Sequence, residues 1–275
     1  MKIKKAMILA AGFGKRMWPI TINTPKPLIK IGKNTLLENC ILKLEKFGIE
    51  ELAINTHYLS DKIQNYINEK KFSLNIKIFR EKNILNTGGG IFNSTKHFGN
   101  NPFLVLNPDT IWNDKHISEF ESLAKIYFDK KSTVILLVKK SKSYDQSFKG
   151  DFNLNNKGLV SRDRINKLIY IGAQIMDRSI FETSKSEAFS INKIWDKLIT
   201  KKTLIGLESH EHFFHINSIE IYQSLEKEKF IENYKKASNY SAYKESVFIK
   251  HLSKENASTL GESLFEFPGF YLRKL

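Results

Sequence analysis

Glycine and cationic side chains are concentrated in one short stretch near the start of the chain. Residues 9–28 read LAAGFGKRMWPITINTPKPL and include Gly12, Gly14, Arg16 and Lys26. Glycine lets backbone N–H groups approach a phosphate without an intervening side chain, and arginine and lysine neutralise phosphate charge. The stretch therefore indicates a phosphate site, although GFG alone fits a plain tight turn equally well. It completes neither a dinucleotide fingerprint nor a P-loop.

A carboxylate follows a buried apolar run further along the chain. The segment FLVLNPD ends in Asp109, and its apolar residues predict a strand. A carboxylate at the carboxyl end of a strand can hold Mg²⁺ against phosphate oxygens. The alternative interpretation is an aspartate that only caps a turn.

Three histidines stand close together in the segment HEHFFH. Alternation along a strand directs His210 and His212 to one side and His215 to the other. We therefore do not expect an intrinsic zinc site.

Short apolar runs alternate with amphipathic stretches over roughly the first half of the chain. The predicted strands include KAMILAA, ELAIN, IKIFRE, FLVLN and TVILLV. Between the first two, Thr35 and Glu38 are spaced as a capping box, and Gly48 ends the helix. The repetition predicts an α/β fold with a Rossmann-like, mixed but mostly parallel sheet flanked by helices. Ligands bind such sheets beyond the carboxyl ends of the strands, where Gly12 and Asp109 both fall.

The composition limits the partners of the protein. Lys and Arg number 44 against 29 Asp and Glu, and the net charge of +15 suits a phosphate-bearing ligand. No recognition motif for nucleic acid accompanies the charge, so we expect no nucleic-acid partner. No apolar run approaches the roughly 18 residues of a membrane span, so we expect no membrane partner. The single cysteine, Cys40, fits a reducing compartment, and we expect the cytoplasm.

The stretch LAAGFGKRMWPITINTPKPL resembles the signature of the sugar-1-phosphate nucleotidylyltransferases. These enzymes join a nucleoside triphosphate to a sugar 1-phosphate and release pyrophosphate. The resemblance extends through TGGG and LNPD to about residue 228. NTGGGIF, together with GDF at residues 150–152, looks most like the uridylyltransferases that act on N-acetylmuramate 1-phosphate. Mannose-1-phosphate guanylyltransferases and glucose-1-phosphate thymidylyltransferases are the near competitors. UTP is therefore favoured, with GTP and dTTP as alternatives, in nucleotide-sugar biosynthesis for the cell envelope.

The resemblance implies roles for three charged residues. Arg16 would hold the triphosphate and the departing pyrophosphate, and Lys26 would bridge the α-phosphate and the sugar phosphate. Asp109 matches the first metal ligand of the family. Because the nucleophile belongs to the sugar phosphate, the chemistry needs no Ser–His pair.

The resemblance also assigns the two substrates to parts of the chain. The nucleotide is expected at Ala11, Gly12, Gly14, Glu81, Asn86, Thr87 and Gly88. The sugar is expected at Gly150, Asp151 and Gly172. The Glu81 carboxylate can accept from N3–H of uracil or thymine and equally from N1–H and N2–H of guanine, so it leaves the base open. The alternative for TGGG is a glycine-rich helix start without a ligand.

The chain departs from the family at the second metal ligand. Relatives carry an aspartate in a WVDVGT-type strand, whereas FFHINS has His215 at that position and Asn217 and Ser218 in place of Gly and Thr. Imidazole is a poor ligand for Mg²⁺ and suits Mn²⁺ better. We therefore expect Mg²⁺, or Mn²⁺ instead, with His215 as the second candidate ligand. The alternatives are one-metal catalysis through Asp109, or a nucleotide- or sugar-binding protein that has lost turnover on the same scaffold.

The end of the chain lies beyond the resemblance. We predict a nucleotidyltransferase domain at residues 1–228 and a C-terminal extension at 229–275. The extension is rich in lysine and too rich in aromatic residues for a solvated tail. It is expected to pack against its own domain or against a second subunit in a homodimer.

Overall fold

A computed structural model of the chain describes residues 2–181 and 187–226. The chain divides into two compact units, Met1–Ile219 and Glu220–Leu275. The extension at 229–275 lies outside the described residues. Its packing, the boundary at residue 228 and the homodimer therefore stay predictions.

The first unit is built on one seven-stranded sheet. The described strands are β1 (Lys5–Ala10), β2 (Lys30–Ile31), β3 (Asn34–Thr35), β4 (Glu51–Thr56), β5 (Asn75–Arg80), β6 (Phe103–Leu106), β7 (Val134–Lys139), β8 (Asn153–Leu154), β9 (Val160–Ser161), β10 (Leu168–Met176) and β11 (Ile205–Glu208). The sheet has the order β11–β7–β10–β6–β1–β4–β5, while β2 pairs with β3 and β8 with β9.

The direction of the strands confirms a mixed, mostly parallel sheet. β1 pairs in parallel with β4 and β6, β4 with β5, and β7 with β11. β10 lies between β6 and β7 and is antiparallel to both. The other six strands therefore end at the same edge of the sheet.

Helices cover both faces of the sheet. The described helices are α1 (Ile20–Asn23), α2 (Leu36–Phe47), α3 (Ser60–Glu69), α4 (Asn86–Ser94), α5 (Lys115–Lys130) and α6 (Asn192–Thr200). Because side chains alternate along a strand, Ala6 and Ile8 of β1 pack in one buried cluster with α2, α3 and α5, and Met7 packs in another with α4 and α6. None of the described helices is both long enough and apolar enough to cross a membrane.

The predicted capping box of α2 is confirmed. The Thr35 hydroxyl accepts a hydrogen bond from the Glu38 backbone N–H at 3.1 Å. Gly48 follows the helix with a φ of 90°, in the left-handed region that favours glycine. Both ends of α2 are thus fixed by residues next to it in the sequence. Only the short strands β2 and β3 separate the helix from the loop that carries the cationic residues.

Candidate active site

A cavity of about 420 Å³ opens at the edge where the parallel strands end. The loop after β1, the ends of β4 and β5, the start of α4 and the turn after β6 contribute to its wall. Its lining residues are Leu9, Ala10, Ala11, Gly12, Gly14, Lys15, Arg16, Met17, Lys26, Pro27, Leu36, Asn55, Glu81, Ile84, Asn86, Thr87, Asn107, Pro108, Asp109 and Asn217. The cavity therefore brings together the three residues predicted to be catalytic and six of the seven predicted to bind the nucleotide.

The loop after β1 is folded into short turns that present its cations. Gly14 has a φ of 66°, and its carbonyl accepts a hydrogen bond from the Thr21 hydroxyl at 2.8 Å. The turn that follows buries Met17 and leaves Arg16 exposed at the cavity. Proline at residues 25 and 27 restricts the backbone on both sides of Lys26. The loop thus presents an exposed guanidinium and a more buried ammonium at the cavity.

The Asp109 carboxylate receives two hydrogen bonds on one oxygen. Lys26 Nζ lies 2.5 Å from Asp109 Oδ2, and His215 Nε2 lies 3.0 Å from the same atom. Burial acts to raise the pKa of Asp109, but the charge of Lys26 and the contact with His215 outweigh it and hold that pKa well below its usual value. The carboxylate is therefore ionised at neutral pH.

Three hydrogen bonds hold the backbone of the turn that carries Asp109. Asn107 N–H donates to the Gly172 carbonyl at 2.8 Å, and Trp112 Nε1 donates to the Asn107 carbonyl at 3.0 Å. Ile216 N–H donates to the Asp109 carbonyl at 2.8 Å. Gly172 belongs to the antiparallel strand β10, so this strand fixes the position of the carboxylate.

Glu81 lies at the cavity with both of its carboxylate oxygens engaged. Oε1 accepts from Asn55 Nδ2 at 2.7 Å, and Oε2 accepts from Leu85 N–H at 2.9 Å. Asn55 Oδ1 in turn accepts from Ala10 N–H at 2.9 Å. Glu81 is buried, and it ties the ends of β1, β4 and β5 together. Its predicted contact with the base would be an addition to this structural role.

The TGGG segment divides between the cavity and the protein interior. Asn86 and Thr87 line the cavity at the start of α4, and the Thr87 hydroxyl also accepts from Ile191 N–H at 3.0 Å. Gly88 N–H instead donates to the Phe189 carbonyl at 2.9 Å, and a Cβ on Gly88 would lie 2.4 Å from the Phe189 ring. Gly88 therefore allows close packing on the segment before α6, and its predicted nucleotide contact stays a prediction.

The three residues predicted for the sugar are not among the lining residues of the described cavity. Gly150 has a φ of 92°, and a Cβ there would meet the Asn166 carbonyl oxygen at 2.4 Å. Asp151 Oδ2 accepts from Tyr170 N–H at 2.9 Å. Gly172, with a φ of 93°, packs against the Asn107 side chain. Each has a local structural role, and contact with a sugar stays a prediction for all three.

Two glycines of this site allow a matched prediction. Gly172→Ala would put a Cβ 2.7 Å from Asn107 Cβ at a positive φ, so we expect a loss of about 1–3 kcal/mol in the free energy of unfolding. Gly12→Ala meets no described atom within 4 Å, so it should leave stability unchanged and weaken nucleotide binding through the methyl group in the cavity. Denaturant unfolding and nucleotide titration measure both effects. Equal stabilities of the two variants would contradict this assignment.

Glu81→Gln tests whether the structural role of this carboxylate is real. Glutamine has one acceptor oxygen, so its NH₂ must face either Asn55 Nδ2 or Leu85 N–H, and one buried hydrogen bond is lost. We expect a loss of about 1–3 kcal/mol in the free energy of unfolding. Glu50→Gln, which changes an exposed partner of Lys4, is the control. If Glu81→Gln alters only nucleotide affinity, the network does not carry stability.

A family model that matches the first half of the chain identifies its family. The family model of nucleotidyl transferases matches residues 5–148, more than half of the 275 residues. The chain belongs to this family. The matched range contains Arg16, Lys26, Glu81 and Asp109, and it ends before the segment with His215. Members of the family are transferases, and the protein is therefore an enzyme of that class.

Relatives over most of the chain agree on the chemistry and differ in the nucleotide. The N-acetylmuramate alpha-1-phosphate uridylyltransferase of Caulobacter vibrioides is 27% identical over 221 residues, which cover 78% of this chain and 91% of the relative. The D-glycero-alpha-D-manno-heptose 1-phosphate guanylyltransferase of Aneurinibacillus thermoaerophilus is 25% identical over 238 residues, or 82% and 97% of the two chains. The first relative is named for transfer of a uridylyl group and the second for transfer of a guanylyl group.

The fold is shared with solved structures of this family. A UDP-glucose pyrophosphorylase complexed with UDP-glucose superposes with a TM-score of 0.70 at 20% identity, covering 84% of this chain and 99% of that one. This similarity confirms the predicted α/β fold class.

Three asparagines of the cavity lining were not predicted as site residues, namely Asn55, Asn107 and Asn217. Asn55 is the last but one residue of β4, and only the network with Glu81 shows its importance. Asn217 lines the cavity and donates through Nδ2 to Asp145 Oδ2 at 2.9 Å. Its position two residues after His215, in the segment that resembles the WVDVGT-type strand, was the available signal.

Proposed function

We propose that this protein transfers a nucleotidyl group from a nucleoside triphosphate, with UTP favoured, to a sugar 1-phosphate. The observation that carries the proposal is the meeting of Arg16, Lys26 and Asp109 at one cavity beyond the carboxyl ends of the strands. The similarity to sugar-phosphate nucleotidyltransferases over most of the chain supports the same reaction. The product would be a nucleotide sugar together with pyrophosphate.

The residues act on the substrates by position and charge. A phosphate oxygen of the sugar phosphate attacks the α-phosphorus, and the bond from that phosphorus to the pyrophosphate oxygen breaks in line. The Arg16 guanidinium neutralises the charge that develops on the leaving pyrophosphate, because its planar donors match phosphate oxygens. Lys26 holds the α-phosphate near the attacking oxygen. No protein side chain needs to become covalently bonded.

The residues present fit a divalent ion held by oxygen. Among the described residues, both hydrogen bonds to the Asp109 carboxylate end on Oδ2, so Oδ1 is open to a ligand. The amide oxygen of Asn217 is buried without a partner in the described part of the chain. Asp109 Oδ1 and Asn217 Oδ1 are hard donors that suit Mg²⁺, and Mn²⁺ equally. The bound ion would neutralise phosphate charge during transfer.

The protein alone provides few ligands for such an ion. Across residues 2–181 and 187–226, no cluster of three or more His, Cys, Asp or Glu side chains is arranged to hold a metal. The phosphates of the nucleotide would therefore supply most of the ligands, and the ion would bind tightly only with the nucleotide.

The preference for UTP rests on sequence similarity. The NTGGGIF segment resembles the uridylyltransferases, and one relative named above is a uridylyltransferase. Glu81 is an acceptor for uracil, thymine and guanine alike, so GTP and dTTP are the alternative donors. The single cysteine fits a reducing compartment and supports a cytoplasmic enzyme. The resemblance to the N-acetylmuramate 1-phosphate uridylyltransferases supports a role in nucleotide-sugar biosynthesis for the cell envelope.

A second candidate function follows from His215, which occupies the position of an aspartate in relatives. If that replacement abolishes turnover, the protein binds nucleotide or sugar phosphate without reaction. Pyrophosphate release separates the two functions when UTP, GTP and dTTP are each combined with several sugar 1-phosphates, with Mg²⁺ or Mn²⁺. We expect release in at least one combination. Nucleotide binding without release in any of them would favour the binding protein.

A further inference from the structure

The hydrogen bond between His215 and Asp109 has a defined direction. His215 Nε2 lies 3.0 Å from Asp109 Oδ2, and an ionised carboxylate can only accept. Nε2 therefore carries the hydrogen and donates. Nδ1 is buried and has no partner among the described residues. An imidazole that donates through Nε2 offers no lone pair from that nitrogen to a metal.

The ring of His215 is held by aromatic neighbours. It stacks on the Phe213 ring at 5.6 Å between centroids and 12° between planes, and the Phe148 ring lies 5.9 Å away. The His215 backbone is also bridged to Thr110, the residue next to Asp109. The direction of the Nε2–H bond is therefore fixed from the ring side and from the backbone side.

Lys26 and His215 share one acceptor, yet the proposed reaction needs Lys26 elsewhere. Both donate to Asp109 Oδ2, and Lys26 must turn toward phosphate oxygens when the substrates bind. Without His215, that movement would leave Oδ2 with no partner among the described residues, and the carboxylate would be free to rotate. We propose that His215 is a positioning residue that holds Asp109 while Lys26 serves the phosphates, and not a metal ligand. This inference rests on the proposed function.

Two substitutions test the hydrogen-bond donor and the aromatic ring of His215 separately. His215→Phe keeps the aromatic packing and removes the donor, and His215→Gln restores an N–H at about the reach of Nε2 without the ring. We expect His215→Phe to lower kcat by about 10- to 100-fold and, because the Asp109 carboxylate loses one of its two donors, to lower the melting temperature by a few degrees. His215→Gln is expected to recover most of the loss in kcat.

Spectroscopy on the unmodified protein tests whether His215 is bonded to the metal ion. Mn²⁺ is bound together with the triphosphate that supports turnover, and electron spin echo measurements detect nitrogen bonded to the ion. We expect no coupling from a directly bound imidazole nitrogen. A nitrogen coupling that disappears in His215→Gln would overturn the inference and make His215 a ligand. If His215→Phe does not fold, this measurement alone decides.

The outcomes distinguish this inference from the proposed function. Turnover that is unchanged in His215→Phe would overturn the positioning role and leave the nucleotidyl transfer intact. A parent protein that neither turns over any substrate pair nor binds Mn²⁺ with a triphosphate would overturn both.

Discussion

Asp109→Asn is expected to lower metal-dependent turnover by at least about 100-fold, as the loss of one preorganised electrostatic group typically does. The Asp109 carboxylate is ionised because Lys26 and His215 hold its pKa down. Asparagine keeps an oxygen for these donors but removes the charge that a divalent ion requires. Pyrophosphate release with Mg²⁺ and with Mn²⁺ measures the loss.

The fold should survive this substitution. Because the folded-state pKa of Asp109 is lowered, the carboxylate stabilises the protein above its unfolded pKa, and that contribution disappears only as the pH falls through the folded value. Asparagine forgoes this contribution but keeps the shape, so we expect a melting temperature only a few degrees lower. Asp114→Asn, which changes an exposed partner of Lys43 and Lys46, is the control. Turnover equal to that of this control would remove Asp109 from the site.

Arg16→Ala and Lys26→Ala are expected to damage different properties. Arg16 is exposed on the loop, so its loss should leave the melting temperature unchanged. It should raise the KM for the nucleoside triphosphate and also lower kcat, because the charge that develops on the leaving pyrophosphate is no longer neutralised. Lys26 is 15% exposed and bonded to Asp109, so its loss should lower kcat by about 100-fold or more. It should also cost about 1–3 kcal/mol in the free energy of unfolding, because a largely buried carboxylate loses a donor. Steady-state kinetics in both substrates and denaturant unfolding separate these effects.

The controls for this pair test charge against geometry. Arg16→Lys retains the charge but loses the planar fork, so it should recover only part of the triphosphate affinity. Lys30→Ala removes an exposed lysine outside the cavity lining and should match the parent. If both alanine variants only lower the melting temperature and have ordinary kinetics, the two residues serve the fold and not the reaction.

The parallel part of the sheet could be predicted from the sequence because its strands are short, apolar and buried on both faces. Ile8, Ile54 and Val105 lie within three of these runs and are completely buried. The helices between the runs have apolar faces of helical period. The position of β10 could not be predicted in this way. An antiparallel strand inserted between β6 and β7 depends on contacts between residues far apart in the chain, which periodicity does not contain.

The site could be predicted where residue type alone limits the chemistry. Arg16, Lys26 and Asp109 carry the charges that phosphate transfer uses, and the structure brings them to one cavity. The interior packing of Gly88 against Phe189 was not predictable, because it depends on a segment about a hundred residues later. The same is true of Asn217, whose amide orientation is set by Asp145.

The fate of the α-phosphorus distinguishes nucleotidyl transfer to a sugar 1-phosphate from hydrolysis and from binding without reaction. UTP, GTP and dTTP are each labelled at the α-phosphorus and incubated with a sugar 1-phosphate and Mg²⁺, and the products are separated. We expect the label of at least one nucleotide to appear in a nucleotide sugar, in equal amount to the pyrophosphate released. Label that stays in the triphosphate, or appears only in a nucleoside mono- or diphosphate, would contradict it.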